Sequence, residues 1–188
     1  MGTSFEFNNP FNIPDNCPLI IVSNHQSTYD IPPIIWYFRK YHPKFISKST
    51  LGSGIPSVSY NLRYGGSVLI DRGKPIIALK KIKDFGEQVQ KNQWAAVIFP
   101  EGTRSKDGNP KKFFSKGLMT LFKQIPDATV VALCINNSWK LGKYRYFPIP
   151  AGVKVSLKVK AIFKLSDHQP EDLFHELEQL ITSGIQRV

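Results

Sequence analysis

This sequence is poor in cysteine and in long apolar runs. Only two cysteines, Cys17 and Cys134, stand among its 188 residues, and both lie in apolar stretches without metal-binding spacing. We therefore expect buried, reduced thiols in a cytosolic protein, with neither a disulfide framework nor a zinc site. The longest uncharged apolar stretches are PLIIVSN, IPPIIWYF and VVALCINNSW. All are well short of the roughly 18 residues that a transmembrane helix needs.

The N-terminal segment MGTSFEFNN lacks the features of targeting signals. No basic stretch precedes an apolar one, so the sequence predicts no signal peptide. A myristoylation signal needs serine or threonine at position 6, where this chain has Glu6.

Acidic residues are few relative to basic ones. The 25 Lys and Arg against 14 Asp and Glu leave a net charge of +11, above the magnitude of about 2 to 8 suited to a small soluble domain. One interpretation of this excess is solubility. The other is an anionic partner, which can be nucleic acid, anionic lipid, or a phosphorylated substrate or carrier.

Short apolar strands alternate with amphipathic helices along the chain. Residues 75–91, for example, have apolar side chains every three or four positions, as one face of a helix requires. The predicted strands are 18–24, 44–49, 67–71, 94–99, 128–136 and 154–164, and the main predicted helices are 30–41, 75–91, 115–125 and 170–186. This alternation predicts a single α/β domain over 1–188, with a mostly parallel central sheet flanked by helices. The site of such a fold lies at the carboxyl ends of the strands.

Polar segments follow three of the predicted strands: SNHQSTYD (23–30), IDRG (70–73) and FPEGTRS (99–105). In the first, Asp30 at the start of a helix can reach back to His25 in the preceding turn. The carboxylate would then fix one imidazole tautomer and leave the other nitrogen as a general base. Alternatively Asp30 only caps the helix, and for this pair taken alone the cap is the preferred interpretation.

The other two segments have residues suited to phosphate. Arg72, just past a strand end, can bind phosphate bidentately, although a surface pair with Asp71 is an equal alternative. In FPEGTRS, Glu101 and Arg104 flank a turn at Gly102, an arrangement that suits a polyol phosphate better than an ordinary polar turn.

Basic residues elsewhere have more than one interpretation. Lys106, Lys111, Lys112 and Lys116 form either a solvated loop or an extension of an anion site. The lysines of the alternating strand 154–164 are expected to protect an exposed strand from aggregation. The aromatic and basic loop 137–150 is suited either to a membrane interface or to core packing of its aromatic rings.

Taken in order and spacing, these segments resemble the glycerophospholipid acyltransferases, the family of the 1-acylglycerol-3-phosphate acyltransferases. The family's first motif, N-H-x-x-x-x-D, matches Asn24, His25 and Asp30. Its second, a glycine and apolar strand ending in I-D-R, matches GGSVLIDR. Its third, F-P-E-G-T-R-S, is present without a change.

The Phe-x-Lys-Gly that usually follows is present at 114–117, and the resemblance covers about residues 15–136, with 137–188 completing the domain. It implies transfer of a fatty acyl group from acyl-CoA or acyl-ACP to the free hydroxyl of a lysophospholipid. The implied acceptor is 1-acylglycerol 3-phosphate and the product is phosphatidic acid. Acceptors such as an ornithine lipid or glycerol 3-phosphate are the enzymatic alternative, and a non-catalytic basic module that binds anionic lipid is the other.

The resemblance also implies a role for each motif residue. His25 takes the hydroxyl proton and Asp30 orients its imidazole. The implied substrate-binding residues are Arg72, Glu101, Gly102, Thr103 and Arg104. Neither a metal nor a tightly held cofactor is implied, and no nucleic acid partner is expected. An anionic membrane surface is the expected partner, which places the protein in the cytoplasm, peripheral at the inner face of the membrane.

Two departures from the family pattern bear on these expectations. The fourth motif, V-P-V, is here Val131, Ala132 and Leu133, which leaves the shape of the acceptor pocket open. Family members usually carry a hydrophobic or helical segment before the first motif, whereas 23 residues precede Asn24 here. Either such a segment is missing from this sequence or the surface of the domain makes the membrane contact.

Overall fold

The protein is built around a mostly parallel sheet, as the sequence predicts. The computed structural model describes residues 2–52, 56–144 and 147–186. In these residues the sheet has seven strands in the order β1-β7-β6-β2-β5-β3-β4. They are β1 (Ser4–Asn8), β2 (Leu19–Ser23), β3 (Pro43–Lys48), β4 (Val68–Ile70), β5 (Ala95–Ile98), β6 (Thr129–Asn136) and β7 (Lys154–Lys164). The five strands from β6 to β4 run parallel, β7 is antiparallel to β6, and β1 is parallel to β7.

Four of the described helices connect the parallel strands, and a fifth follows β7. They are α1 (Ile31–Tyr37), α2 (Pro56–Tyr64), α3 (Pro75–Asn92), α4 (Ser115–Gln124) and α5 (Pro170–Ser183). The first turns of α1, α3 and α5 contain proline, whose missing N–H has no partner at that position in any helix. The predicted helix 30–41 is shorter than expected, because Arg39–Tyr41 forms a 3-10 turn. None of the described helices is both long and apolar enough to cross a bilayer.

Both faces of the sheet are buried, which explains why β5 is apolar throughout and β2 is apolar up to its last residue, Ser23. Ile20 and Val22 of β2 face the core that contains side chains of α3, α4 and α5. Leu19 and Ile21 face the second core, which contains Ile34 of α1. With both faces covered, polar chemistry is confined to the edges where the strands end.

The expectation that lysines protect β7 as an exposed strand is wrong for the first part of the strand. Residues 154–158 lie inside the sheet, because β1 pairs with them in parallel from Ser4↔Lys154 to Asn8↔Lys158, whereas 159–164 have no described strand on that side. The sequence interpretation missed β1, although its alternation of Phe5 and Phe7 with polar residues was a usable signal.

The departure at the fourth motif lies within the sheet. Val131, Ala132 and Leu133 are fully buried in β6, and the pairing with β7 shifts register between Ala132 and Leu133. A proline, which cannot donate to the ladder, is tolerated in a sheet at such an irregularity. The replacement of the family's proline by Ala132 therefore lies in the buried part of β6, four residues before the strand ends at Asn136.

The aromatic side chains of the loop 137–150 divide between packed and exposed positions, and its membrane role stays a prediction. Trp139 is partly buried, and its indole packs against the backbone of Gly108, where a Cβ would clash with the ring. Tyr144 and Phe147 are exposed. Arg145 and Tyr146 of the same loop lie outside the described residues.

Close packing between α3 and α4 yields a stability prediction with an internal control. A Cβ on Gly86 would lie 2.7 Å from Cβ of Gln124, whereas a Cβ on Gly117 would meet its nearest neighbour, Ile98, at 3.5 Å. We expect Gly86→Ala to lower the free energy of unfolding by about 1 to 3 kcal/mol through overpacking. Gly117→Ala should leave it unchanged or raise it by up to about 1 kcal/mol, because alanine favours the helix. Urea unfolding of both variants checks this, and equal stabilities would contradict it.

Candidate active site

The three polar segments meet at one edge of the sheet. They follow β2, β4 and β5, whose carboxyl ends point to the same side because the strands are parallel. β2 and β5 are direct neighbours, with Leu19↔Ala95 and Val22↔Ile98 in register. This pairing places the turn that contains His25 beside the turn that contains Glu101.

His25 and Asp30 form the hydrogen bond that their spacing permits. Nδ1 of His25 lies 2.8 Å from Oδ2 of Asp30. The same oxygen accepts from the backbone N–H groups of Gln26 at 2.7 Å and Ser27 at 3.0 Å. Asp30 is fully buried, and 19% of the His25 side chain is exposed. The carboxylate orients the imidazole and leaves Nε2 as the ring nitrogen for chemistry.

The helix-cap alternative is correct only for a smaller element. Asp30 makes no side-chain cap bond to α1. Its carboxylate belongs instead to a capping box with Ser27 around the 3-10 turn Thr28–Asp30. The turn thus fixes Asp30 in the position from which it reaches His25.

Residues of the β5 turn hold His25 from a second side. The backbone N–H of His25 donates to Oε1 of Glu101 at 3.0 Å, and its carbonyl accepts from the N–H of Ser105 at 2.8 Å. The imidazole stacks on the ring of Phe99 with centroids 4.1 Å apart. The backbone and the ring plane of His25 are therefore both set by FPEGTRS.

Contacts to β6 and to the segment that follows it fix the same turn from a third side. The Asn24 side chain donates to the Ile135 carbonyl at 2.8 Å and accepts from the Ile135 N–H at 2.7 Å. Oε1 of Gln26 accepts from the Ser138 N–H at 3.0 Å, and the hydroxyls of Ser27 and Ser138 lie 2.7 Å apart. The sequence did not predict the roles of Gln26, Ser27 and Ser138. Ser27 and Ser138 are 111 residues apart, and no local sequence pattern indicates that they are in contact.

Glu101 is buried beside His25, and this burial decides its titration. Desolvation raises the pKa of the Glu101 carboxyl to about 7, although the hydrogen bond from the His25 N–H and the charge of Lys111 oppose the shift. Its second oxygen, Oε2, is buried and has no hydrogen-bond partner among the described residues. A buried carboxylate oxygen in this position favours a donor from a bound molecule.

Gly102 has a left-handed backbone conformation, and two side chains approach it closely. Its φ is +68°, and a Cβ there would lie 3.5 Å from the ring of Phe114 and 4.0 Å from Nη1 of Arg72. Arg72 therefore reaches from β4 across the end of β3 to the FPEGTRS turn. Partial burial lowers the pKa of its guanidinium, which still stays cationic at neutral pH.

No Asp71–Arg72 ion pair forms within the described part of the chain. The Asp71 carboxylate instead accepts from the Gly73 N–H at 2.9 Å. Arg104 is exposed, and its Nη1 donates to the Thr28 hydroxyl at 2.7 Å. Thr103 is exposed beside it. The fold therefore brings Arg72 and Arg104 to the same turn as Glu101, with cationic groups facing solvent.

The lysines after FPEGTRS are exposed, and one of them supports the turn. Nζ of Lys111 donates to the Arg104 carbonyl at 2.9 Å. In the residues that the structure covers, no group of three or more His, Cys, Asp or Glu side chains could hold a metal ion. Cys134 is buried in β6, and burial raises the pKa of its thiol to about 11, which keeps it protonated at neutral pH.

A family model described as Acyltransferase matches residues 4–136, the segment that contains β1 to β6 and all three polar turns. The chain belongs to the acyltransferase family. The resemblance drawn from the motifs is thereby confirmed.

Similar members of this family share much of the chain. A 1-acyl-sn-glycerol-3-phosphate acyltransferase of Cocos nucifera is 29% identical over 167 residues, which cover 88% of this chain and 52% of that protein. One of Helicobacter pylori is 35% identical over 136 residues, 67% of this chain and 54% of that protein. This chain thus spans about half the length of the curated relatives it matches.

A solved structure supports the fold. The crystal structure of the 1-acyl-sn-glycerophosphate (LPA) acyltransferase of Thermotoga maritima superposes with a TM-score of 0.75 at 27% identity. The match covers 97% of this chain and 70% of that chain. The α/β architecture is therefore that of a solved acyltransferase.

The raised pKa of Glu101 predicts a pH-dependent stability with a defined sign. Its folded pKa of about 7 exceeds the ordinary value of 4.5, so the stabilisation by the protonated form is complete below about 4.5 and is lost as pH rises through about 7. Replacing the carboxyl in Glu101→Gln removes this loss. The stability of the variant relative to wild type should increase by about 2 to 3 kcal/mol from about pH 5 to about pH 8.

Urea unfolding of both proteins at the two pH values measures this difference. Asp107→Asn is the control without a pH dependence between these two values, because hydrogen bonds from Asn109 lower the pKa of Asp107 below its ordinary value of 3.8. Its stabilising contribution is present above the ordinary pKa and is lost as pH falls. A stability difference between Glu101→Gln and wild type that does not change with pH would show that Glu101 titrates normally.

Proposed function

We propose that the chain transfers a fatty acyl group from a thioester to the free hydroxyl of 1-acylglycerol 3-phosphate and so forms phosphatidic acid. The observation on which this rests is the 2.8 Å hydrogen bond between His25 and buried Asp30 at the sheet edge. The names of its relatives support the same acceptor. A non-catalytic lipid-binding module has no need for a buried carboxylate that orients a partly exposed imidazole.

The reaction needs one base that later acts as an acid. Nε2 of His25 takes the proton of the acceptor hydroxyl as its oxygen attacks the thioester carbonyl carbon. The tetrahedral intermediate then collapses with cleavage of the carbon–sulfur bond, and the imidazolium returns the proton to the departing thiolate. Asp30 keeps Nδ1 protonated and stabilises the imidazolium, as in hydrolytic triads.

Direct attack by the acceptor fits the side chains around His25. The Ser27 hydroxyl is buried and paired with Ser138, and the Ser105 hydroxyl donates to Asp107 at 2.9 Å. Neither is bonded to the imidazole, as an activated nucleophile must be. The acceptor hydroxyl itself is therefore the proposed nucleophile, and the proposed step is written without a metal or a tightly bound cofactor.

Two arginines and a glutamate are placed to bind the acceptor. Arg72 and Arg104 lie at the Gly102 turn and are the proposed ligands of the acceptor phosphate. Oε2 of Glu101 is the proposed partner for an acceptor hydroxyl, since it lacks a donor among the described residues. The left-handed backbone of Gly102 and the Thr103 hydroxyl complete this proposed site.

The donor is acyl-CoA or acyl-ACP. Both are anionic, so the net charge of +11 suits either of them. We also propose that the protein works at the cytoplasmic surface of a membrane with anionic lipid, because its proposed acceptor resides there. As the acceptor, 1-acylglycerol 3-phosphate is preferred over a phosphate-free ornithine lipid because of the two arginines.

The role of His25 is tested by substitution. We expect His25→Ala to lower turnover by about 10²- to 10⁴-fold, the usual contribution of a general base. Asp30→Asn should lower turnover as well, because it favours the wrong tautomer. The measurement is release of thiol from an acyl thioester that depends on added lysophosphatidic acid.

His175→Ala is the matched control, because His175 is exposed on α5 and lies outside the site. It should retain wild-type turnover. Near-normal thiol release by folded His25→Ala would refute the mechanism.

The roles of Arg72 and Arg104 are tested by comparing acceptors. Arg72→Ala or Arg104→Ala should weaken use of lysophosphatidic acid by about 2 to 5 kcal/mol in kcat/KM, the scale for leaving a charge without its partner. An acceptor without a phosphate should be far less affected. A panel of lysophosphatidic acid, glycerol 3-phosphate and a lyso-ornithine lipid measures the difference.

Arg39→Ala serves as the control, because Arg39 stacks on Trp36 in α1, away from the site. Equal losses with all acceptors in Arg72→Ala would indicate a structural role. A preference for a phosphate-free acceptor in the wild-type enzyme would overturn the proposed acceptor.

A further inference from the structure

Large apolar side chains project into solvent around the proposed site. Ile76 is 84% exposed, Phe114 66%, Ile77 52% and Leu51 44%. We name these four residues the apolar rim. Exposed apolar side chains that group together commonly mark an interaction surface.

The rim lies along three neighbouring strand ends. Leu51 follows the end of β3 by three residues, and Ile76 and Ile77 are in the first turn of α3 after β4. The Phe114 N–H donates to the Pro100 carbonyl just after β5. Since β5, β3 and β4 are adjacent and parallel, these side chains emerge at the same edge of the sheet as His25.

The exposure of the two isoleucines is not required by helix packing. α3 buries Ala78, Ile82 and Phe85 against the sheet. Its remaining exposed side chains nearby are those of Lys80, Lys81, Lys83 and Asp84. Apolar side chains in solvent are therefore confined to the turn nearest the proposed site.

Charge is distributed unequally between the two edges of the sheet. The segments 48–52, 71–77 and 111–117, which contain the rim, include one acidic residue, Asp71. Their basic residues are Lys48, Arg72, Lys74, Lys111, Lys112 and Lys116. At or next to the opposite ends of the strands, exposed Asp15, Asp127, Asp167, Glu171 and Asp172 lie among exposed Lys40, Lys91, Lys123 and Lys164, so the two signs nearly balance there. The edge with the rim is therefore the one attracted to a negatively charged surface.

Phe114 connects the rim to the proposed acceptor site. Its ring lies over Gly102, next to the guanidinium of Arg72. A surface that covers the rim would thus reach the proposed phosphate ligands directly.

We propose that the apolar rim inserts into the interfacial layer of a bilayer that contains anionic lipid, so that the site opens onto the membrane surface. This inference rests on the proposed function, because a lysophospholipid acceptor resides in such a layer. Basic residues beside the rim bind the headgroups, and the rim side chains lie among the first carbons of the acyl chains. Tyr144 and Phe147 are also exposed, in the connection that leaves β6 at the same edge.

Vesicle sedimentation tests the docking face. The double variant Ile76→Ser with Ile77→Ser should bind mixed phosphatidylcholine and phosphatidylglycerol vesicles at least about tenfold more weakly than wild type, since burying one isoleucine is worth roughly that factor. The matched control is Ile35→Ser with Trp36→Ser, an exposed apolar pair on α1, on the other face of the sheet. It should bind as wild type does, and vesicles of phosphatidylcholine alone should bind none of the proteins well.

Each other outcome overturns the proposal. Loss of binding in the α1 variant with retention in the α3 variant would assign docking to α1. Equal binding by all three proteins would exclude both faces. Equal binding to neutral and anionic vesicles would remove the electrostatic part of the argument.

Thiol-release assays separate this inference from the proposed function. With a detergent-dispersed acceptor the α3 variant should turn over as wild type does, and with the acceptor in vesicles it should be slower. Equal loss in both formats would show that the rim serves another partner, such as an acidic carrier protein. Absence of turnover in wild type would refute the proposed function. The vesicle-binding experiment would still test the docking face, because it does not depend on turnover.

Discussion

The parallel pairing of β2 with β5 is the constraint on which the site depends. It aligns the two strand ends, so that the turn after β2 and the turn after β5 exchange hydrogen bonds in both directions. Glu101 accepts from the His25 N–H, and the Ser105 N–H donates to the His25 carbonyl. A change in this register would separate the imidazole from Glu101 and from the ring of Phe99. The stable pairing of the two strands therefore fixes the relative positions of the side chains at the site.

Two buried carboxylates at this edge differ in how well they are compensated. Asp30 receives three hydrogen bonds on one oxygen, two of them from backbone N–H groups of its own turn, while its other oxygen, like Oε2 of Glu101, has no partner among the described residues. Glu101 receives one from His25, and burial raises its pKa to about 7. Burial of a carboxyl group without full compensation is unfavourable to folding. Such residues persist where they are needed to hold or recognise something, which agrees with their position here.

Covering both faces of the sheet leaves only its edges for contact with other molecules. The carboxyl edge has the oriented histidine, two arginines, several lysines and the apolar rim, whereas exposed acidic residues and lysines nearly balance at the opposite edge. The proposed recognition of a phosphate, the proposed approach to a membrane and the proposed chemistry are therefore all directed to one side of the molecule.

Much of this protein was determined by local sequence. All described helices except α2, all strands except β1 and the three polar turns follow from apolar periodicity and from short motifs, because those signals act within a few residues. The local geometry of His25 and Asp30 follows too, since both belong to one turn. Tertiary structure alone decided that β1 covers β7, that Ser138 supports the His25 turn and that Arg72 reaches Gly102. These contacts join residues far apart in sequence, and they depend on strand order, which no local pattern specifies.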